Sequence, residues 1–248
     1  MFLGAAAGSA LLLSLSCTTM DSTVTIPALI PGAQYVENKS CEECHADQVR
    51  TFKRTGHGMR FIKNGSNNQE GCQSCHGSGS LHVESGGEKS KIVKGNEAMC
   101  YTCHQRVRSE FSLQYNHPVA SGRMTCNDCH AVHSPEKAGI KLVSNETCFK
   151  CHQEQRGPWV FEHEPVEHDG CSACHNPHGS INTRMLKERD YNLCIKCHYS
   201  TQFQSIGHYA HRRALNPQSL DPSGKLSTCS GCHRGVHGSN FSKELRTQ

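Results

Sequence analysis

The chain has 248 residues and a formal net charge of +4, and only 35% of its residues are hydrophobic and 6% aromatic. A chain of this length ordinarily forms one large domain or two smaller ones, but the apolar residues here are too few and too scattered to build apolar cores, and no segment keeps a helical or strand period for long. The composition therefore excludes a conventional hydrophobic core and indicates a chain that is either disordered or organised around something other than its own side chains.

Residues 1–17 are predicted to be an export signal. The apolar stretch of about 14 residues from Phe2 to Leu15 is short for a membrane-spanning helix and typical of a signal peptide. Cys17 follows small residues in an arrangement that resembles a lipobox, although Ser14 stands where that motif usually has Leu. We predict that Cys17 is lipidated as the mature N-terminus. The alternative is that Cys17 is removed with an ordinary signal peptide.

The other 16 cysteines fall into eight identical C-x-x-C-H units. This is the attachment motif of c-type haem, in which both sulfurs form thioethers to the porphyrin and the histidine is the proximal ligand of the iron. A zinc site would need a second cysteine or histidine pair and no histidine directly after each motif, and a thioredoxin-like pair occurs singly. We therefore predict eight covalently attached haem c groups.

The residues of these motifs are the predicted haem-binding residues. The thioether cysteines are Cys41, Cys44, Cys72, Cys75, Cys100, Cys103, Cys126, Cys129, Cys148, Cys151, Cys171, Cys174, Cys194, Cys197, Cys229 and Cys232. The proximal ligands are His45, His76, His104, His130, His152, His175, His198 and His233.

The motifs form an internal repeat beyond a polar segment, residues 18–40, that is predicted to be a tether. Taken two at a time, they give four dihaem repeats with one order: a motif, a histidine 10 to 13 residues later, a second motif, and a histidine within six residues. Segments 84–98 and 216–228 are predicted to be loose linkers. The predicted repeats cover residues 41–82, 100–133, 148–178 and 194–248, the last including a C-terminal tail.

Ten histidines lie outside the motifs, enough to give each of eight irons a second histidine. Methionine, the rival ligand, holds no repeated position. His168 has no counterpart in the other repeats and is predicted not to be a ligand. His208 and His211 compete for one iron, and the sequence does not separate them. The predicted distal ligands are His57, His82, His117, His133, His163, His178, His208 or His211, and His237.

The closest histidine spacing predicts that ligands are exchanged between haems. His130 and His133 lie one helical turn apart, so a porphyrin bound by His130 blocks His133 from its own distal face. We expect His133, and likewise His178 and His237, to ligate a different haem. Such exchange would join the repeats and hold the porphyrins close together, as electron hopping requires. With both axial positions filled, no catalytic residue is predicted.

The predicted fold class is a multihaem cytochrome c that is mostly irregular, with short α-helices, an elongated chain of haems and negligible β-sheet. The haems form the core, and their covalent attachment supplies the staples that a small scaffold needs. Each bis-His ferric haem with ionised propionates adds about −1, so eight of them change the formal charge from +4 to about −4. The mild basicity of the polypeptide is therefore no indication of a nucleic-acid partner.

Several segments resemble the doubled-motif periplasmic cytochromes of the MtrA and DmsE type. The likeness runs from Cys41 to about Asn240, and its main carriers are QRGPW at 155–159, EHEPV at 162–166 and CSACHNPHGS at 171–180. The resemblance implies bis-His haems in or against an outer-membrane β-barrel. It also implies that the distal ligands include His117, His133, His163, His178 and His237. The family typically carries ten haems; shorter porin–cytochrome conduits with eight-haem components would account for the difference.

We accordingly expect an electron carrier in the periplasm, associated with the outer membrane. By resemblance, it would take electrons from periplasmic donor cytochromes and pass them, within a complex with a β-barrel porin, to an outer-surface multihaem cytochrome and extracellular acceptors. Two alternatives remain at this point. One is a multihaem reductase of a small nitrogen or sulfur compound, and the other is a subunit of an extracellular cytochrome filament.

Overall fold

The computed structural model describes residues 30–62, 71–134, 144–198 and 228–247. The predicted signal segment, Cys17, most of the predicted tether, His208 and His211 lie outside the described residues. Within them lie eleven short α-helices: α1 Asn38–Phe52, α2 Gly56–Phe61, α3 Gln73–His76, α4 Ser80–Glu84, α5 Glu97–Cys103, α6 Gln105–Glu110, α7 Cys126–Cys129, α8 Asn145–Phe149, α9 Glu164–His168, α10 Asp190–Ile195 and α11 Cys229–Cys232. Four 3₁₀ turns complete the regular structure of these ranges: Lys89–Lys91, Gln153–Gln155, Cys171–Ala173 and Thr183–Met185.

A single helical turn at each haem motif explains why the helices are short. In seven of the motifs, the histidine N–H donates to the carbonyl of the first cysteine, at 2.8–3.0 Å. This is the i to i−4 bond of one α-helical turn, and it brings both sulfurs to the same side of the chain. The chain then leaves helical geometry at or near the histidine. His104 separates α5 from α6, for example, and His45 kinks α1 in the same way.

Isolated bridges, rather than strands, join the end of one repeat to the middle of the preceding repeat. Tyr115 and Ser180 exchange both backbone hydrogen bonds, at 3.0 and 2.8 Å, and Phe161 and Ser239 do the same at 2.8 Å each. Tyr115 and Phe161 each lie two residues before a distal histidine, and the two serines each lie two residues after one. The predicted fold class, an irregular chain with short helices and negligible sheet, is confirmed for the described residues.

Few apolar side chains of the described residues are buried. They are Ala33, Val49, Phe52, Val93, Met99, Phe111 and Val119. Phe52 and Phe111 are equivalent, since each lies seven residues after the first motif histidine of its repeat, and Trp159 holds that position in the third repeat. So small a core cannot hold a chain of this size together, which agrees with an interior built largely by the prosthetic groups.

The end of the predicted tether packs on the first repeat. The backbone of Gln34 bonds to Ser80 through its N–H and its carbonyl, and that of Val36 bonds to the buried side chain of Gln73 in the same two ways. Asn38 already belongs to α1. None of the helices in the described ranges is long and apolar enough to span a bilayer.

The glycine of the His237-Gly238-Ser239 segment is fixed by a close approach. Gly238 has φ +142, and a Cβ atom built on it would lie 2.1 Å from Cδ1 of Trp159. A side chain at this position would collide with the indole ring of Trp159 and force the fourth repeat away from the third. The positive φ would add backbone strain for any residue other than glycine.

We predict that Gly238→Ala destabilises the haem-loaded protein by about 1–3 kcal/mol. The measurement is thermal unfolding followed by far-UV circular dichroism and by Soret absorption. Gly95→Ala is the matched control, since a Cβ on Gly95 would have nothing within 4 Å, and its effect should stay within about 0.5 kcal/mol. Equal effects of the two substitutions would contradict this account of the junction.

Candidate haem sites

Seven pairs of histidine rings recur along the described chain. Each pair joins one motif histidine to one histidine outside the motifs, and the ring centres lie 5.9–6.3 Å apart. The pairs are His45–His82, His76–His133, His104–His57, His130–His178, His152–His117, His175–His237 and His198–His163.

This separation fits an iron held between two imidazoles. A metal–imidazole bond of about 2 Å on either side, with about 1 Å from each ring nitrogen to its ring centre, gives roughly 6 Å between centres. Zinc sites, by contrast, use three or four protein ligands. Within the described ranges, no group of three or more His, Cys, Asp or Glu side chains is arranged to hold a metal ion. The histidines therefore meet in twos, as the axial positions of a haem require.

The hydrogen bonds of the rings leave the correct nitrogen for the metal. Five Nδ1–H groups donate to backbone carbonyls: His76 to Val93, His82 to Glu88, His117 to Pro177, His163 to Val236 and His175 to Arg184, at 2.7–3.0 Å. His233 donates in the same way to Glu244 at 2.5 Å. A ligating histidine normally uses its second nitrogen in this manner, which fixes the tautomer and aims Nε2 at the iron.

Burial keeps several of these imidazoles in the form that binds metals. It lowers the pKa of His57, His130, His133 and His237, and the neighbouring histidines lower the same pKa values further. A lowered histidine pKa favours the neutral ring, and only the neutral ring can donate a lone pair to iron.

A cavity between the third and fourth repeats contains unpaired polar groups. It is lined by His163 and His237, among others, together with Trp159 and Gln155. Nε1 of Trp159 and Oε1 of Gln155 are buried, and neither has a hydrogen-bond partner in the part of the chain that the structure describes. Buried polar atoms normally have partners. The lining therefore fits a group that is itself partly polar, as a haem with its propionates is.

The pairs follow one rule through the chain. The histidine between the two motifs of a repeat pairs with the first motif histidine of the next repeat, as His57 does with His104. The histidine at the end of a repeat pairs with the second motif histidine of the preceding repeat, as His133 does with His76. Both relations recur at each later junction. At the N-terminal end, His45 pairs within its own repeat with His82.

Cysteines bring neighbouring motifs together within a repeat. The thiols of Cys41 and Cys72 lie within hydrogen-bonding distance of each other, which raises the pKa of Cys41 and lowers that of Cys72 to about 7. Cys148 and Cys171 are bonded in the same way, and Oδ1 of Asn145 accepts the N–H of Cys171 at 2.9 Å. The two attachment sites of one repeat are thus adjacent.

The predicted site residues can now be located. Apart from His208 and His211, every predicted distal histidine lies in one of the seven pairs. His168, predicted not to be a ligand, ends α9 and belongs to none of these pairs. The linker prediction for segment 84–98 is wrong. The carbonyls of Glu88 and Val93 in this segment accept the Nδ1–H groups of His82 and His76, so its backbone is held in place.

Two kinds of functional residue were missed from the sequence. Phe52 lies edge-on to His133, and Phe111 lies tilted against His178, with ring centres 6.0 and 5.3 Å apart. Both phenylalanines lie seven residues after the first motif histidine of their repeat, so an alignment of the repeats could have revealed them. Glu110, whose carboxylate accepts from Nδ1 of His178 at 3.1 Å, gave no such signal because its position is not repeated.

Comparison with known proteins agrees with these sites. Residues 116–157 and 163–203 match the family model of the doubled CXXCH motif. Together with the paired rings and their hydrogen bonds, this match identifies a protein with several covalently attached haem c groups.

The chain belongs to the MtrA-type multihaem c-type cytochromes, as the sequence predicted. It is 35% identical over 208 residues to the multihaem cytochrome MtrA of Shewanella baltica strain OS185, a match that covers 82% of this chain. The chain spans 58% of that protein's length.

We predict that the mature chain carries eight haems, one for each motif. Mass spectrometry of the purified protein should show the polypeptide plus eight haem masses. Replacing Cys229 and Cys232 together by alanine should leave seven, because thioether attachment needs the motif sulfurs. A wild-type count below eight, or an unchanged count in the double variant, would show that not every motif is used.

Proposed function

We propose that this chain carries electrons along eight bis-His haems, from periplasmic donor cytochromes across the outer membrane to extracellular acceptors. The pairing of histidine rings across consecutive repeats, with centres 5.9–6.2 Å apart, is the observation that carries the proposal. Each haem supplies an iron that alternates between ferric and ferrous states. The chain's own residues hold these irons in a fixed series.

The histidine pairs would fill both axial positions of the irons that they hold. Seven irons would be held by the seven observed pairs, each with a motif histidine on one side and a histidine from outside the motifs on the other. An iron with two protein ligands has no position open for a substrate, which favours electron transfer over reduction of a bound small molecule. The reductase alternative therefore has no feature of the described chain in its favour.

Contacts between motifs support haems that follow one another in chain order. Within repeats, the first cysteines meet, as Cys41 meets Cys72. Between repeats, the second cysteines lie near each other: Cys75 interacts with Cys103, Cys129 with Cys151 and Cys174 with Cys197. Every motif of the described chain up to the seventh thus neighbours the next one, so the proposed path needs no branch.

The C-terminal end of the series would close as the N-terminal end does. His45, in the first repeat of the printed sequence, pairs with His82 of its own repeat. By the same rule, His233 would share its iron with His208 or His211, the histidine between the two motifs of the fourth repeat. Such closure at both ends would use eight distal histidines for eight irons and leave His168 free of a ligand role.

The exchanged ligands allow a direct test. We predict that His133→Ala opens one axial position at the iron bound by His76, so about one iron in eight becomes high-spin in the ferric protein. Electron paramagnetic resonance and the visible spectrum measure this fraction. His168→Ala is the matched control and should leave all irons low-spin. A fully low-spin His133→Ala protein would sink the proposed exchange.

The mounting of the chain rests on its relative. MtrA is the curated relative that suggests a porin–cytochrome complex, a periplasmic position and an association with the outer membrane. We propose the same arrangement here: a β-barrel porin around or beside the chain, an outer-surface multihaem cytochrome as the next carrier, and lipidation of Cys17 as a further anchor.

We expect an outer-membrane β-barrel protein to co-purify with the full chain after mild solubilisation of membranes. The Cys17→Ser variant separates two modes of attachment. If protein contacts hold the complex, the barrel should still co-purify with the variant. If lipidation contributes to anchoring, membranes that lack the barrel should retain less of the variant than of the wild-type chain. Recovery of the wild-type chain without any barrel would contradict the conduit.

A further inference from the structure

One junction between repeats differs from its equivalents. Six residues after the first motif histidine, directly before the aromatic residue that packs on the junction, the first three repeats have Thr51, Glu110 and Pro158. Only the second repeat places an acid at this position. The junction is the one at which His178, from the third repeat, pairs with His130.

Glu110 is built into this junction through its backbone and its side chain. It is the last residue of α6, and a Cβ on Gly179 would lie 2.0 Å from its carbonyl oxygen. Oε2 accepts the Nδ1–H of His178 at 3.1 Å, and Oε1 accepts from Nε of Arg106 at 3.1 Å. The Glu110 side chain is only 16% exposed, whereas that of Arg106 is 91% exposed. The carboxylate therefore acts on the histidine from a half-enclosed position, with its counter-ion in solvent.

The acceptor at His178 is chemically different from those of six other histidines of the described chain. One further carboxylate, that of Glu154, lies near a motif histidine, but it is 3.8 Å from Nδ1 of His152 and 65% exposed. His76, His82, His117, His163, His175 and His233 all donate from Nδ1 to neutral backbone carbonyls. A carboxylate is a stronger acceptor than a carbonyl because it carries a full negative charge. It withdraws the Nδ1 proton more strongly and makes the other nitrogen a better electron donor to the metal.

We infer that Glu110 is a positioning residue that acts on a haem through His178. It lowers the reduction potential of the haem held by His130 and His178, relative to the same site with a neutral acceptor at His178. A more basic imidazole and a nearby negative charge both stabilise ferric over ferrous iron. The inference rests on the proposed bis-His ligation. It makes the fourth of the eight sites a low-potential step near the middle of the series.

The substitution Glu110→Gln tests this in the haem-loaded full chain. Glutamine keeps the length of the side chain and an oxygen that can accept the Nδ1–H, but removes the charge. In a potentiometric titration followed by electron paramagnetic resonance, one haem of eight should move to a higher potential while all irons stay low-spin. Glu88→Gln is the matched control: its carboxylate bonds to Ser90 and Lys91, and His82 uses only its carbonyl. This control should leave the potentials unmoved.

A second variant predicts the opposite sign. Arg106→Ala removes the cation that shares the carboxylate, so the same haem should move to a lower potential. In the double variant with Glu110→Gln, the arginine substitution should have little further effect, because it acts through the carboxylate. Shifts of the same sign in both single variants, or an unmoved titration in Glu110→Gln, would overturn the inference. High-spin iron in the wild-type protein would instead overturn the proposed ligation itself.

Discussion

The pairing of histidine rings across consecutive repeats is the constraint on which the rest of this molecule depends. The histidine at the end of a repeat meets a motif histidine of the preceding repeat, and the histidine between the motifs meets one of the following repeat. Each junction of the described chain therefore has two ring pairs. In the proposed function these pairs hold iron, so a repeat separated from its neighbours would lose ligands. We propose that this dependence, rather than a side-chain core, holds the chain together.

The irregular backbone between the motifs has a specific task in this arrangement. It brings carbonyl oxygens to the Nδ1 atoms of ligand histidines, often from the neighbouring repeat, as Pro177 does for His117 and Val236 for His163. Longer helices or strands would use those carbonyls within themselves. The isolated bridges at Ser180 and Ser239 and the close approach at Gly238 hold neighbouring repeats at the distance at which these carbonyls reach the histidine rings.

For electron transfer, such a scaffold needs only to close the irons to substrates and to hold them close together. In the proposed function, two histidines at each iron close the site to substrates, and the proximity of consecutive motifs gives the electron one route. The sites are nevertheless distinct, because the acceptor behind each ligand is set by local sequence. Glu110 is the clearest case: one carboxylate in place of a carbonyl is enough to distinguish a site in a series built on one repeated plan.

Much of this protein was determined by the sequence alone. The C-x-x-C-H spacing is covalent chemistry confined to five residues, so it predicted the attachment sites and the class of cofactor without knowledge of the fold, and the comparisons support the class of cofactor. Histidine spacing predicted the repeats, and the block on the distal face at His133 predicted that ligands cross between them. The scarcity of apolar residues predicted short helices and an irregular chain, which the described residues confirm.

The tertiary structure decided which histidine meets which. The choice between His57 and His82 as partner of His45 depends on how repeats turn against each other, and short spacings carry no information about that. The same holds for the segment 84–98, which looked loose because its composition is polar but is held by hydrogen bonds from distant rings. The contact of Glu110 could not be predicted from the sequence for the same physical reason. Its partner, His178, lies 68 residues away, and only the packed junction brings the carboxylate to the ring.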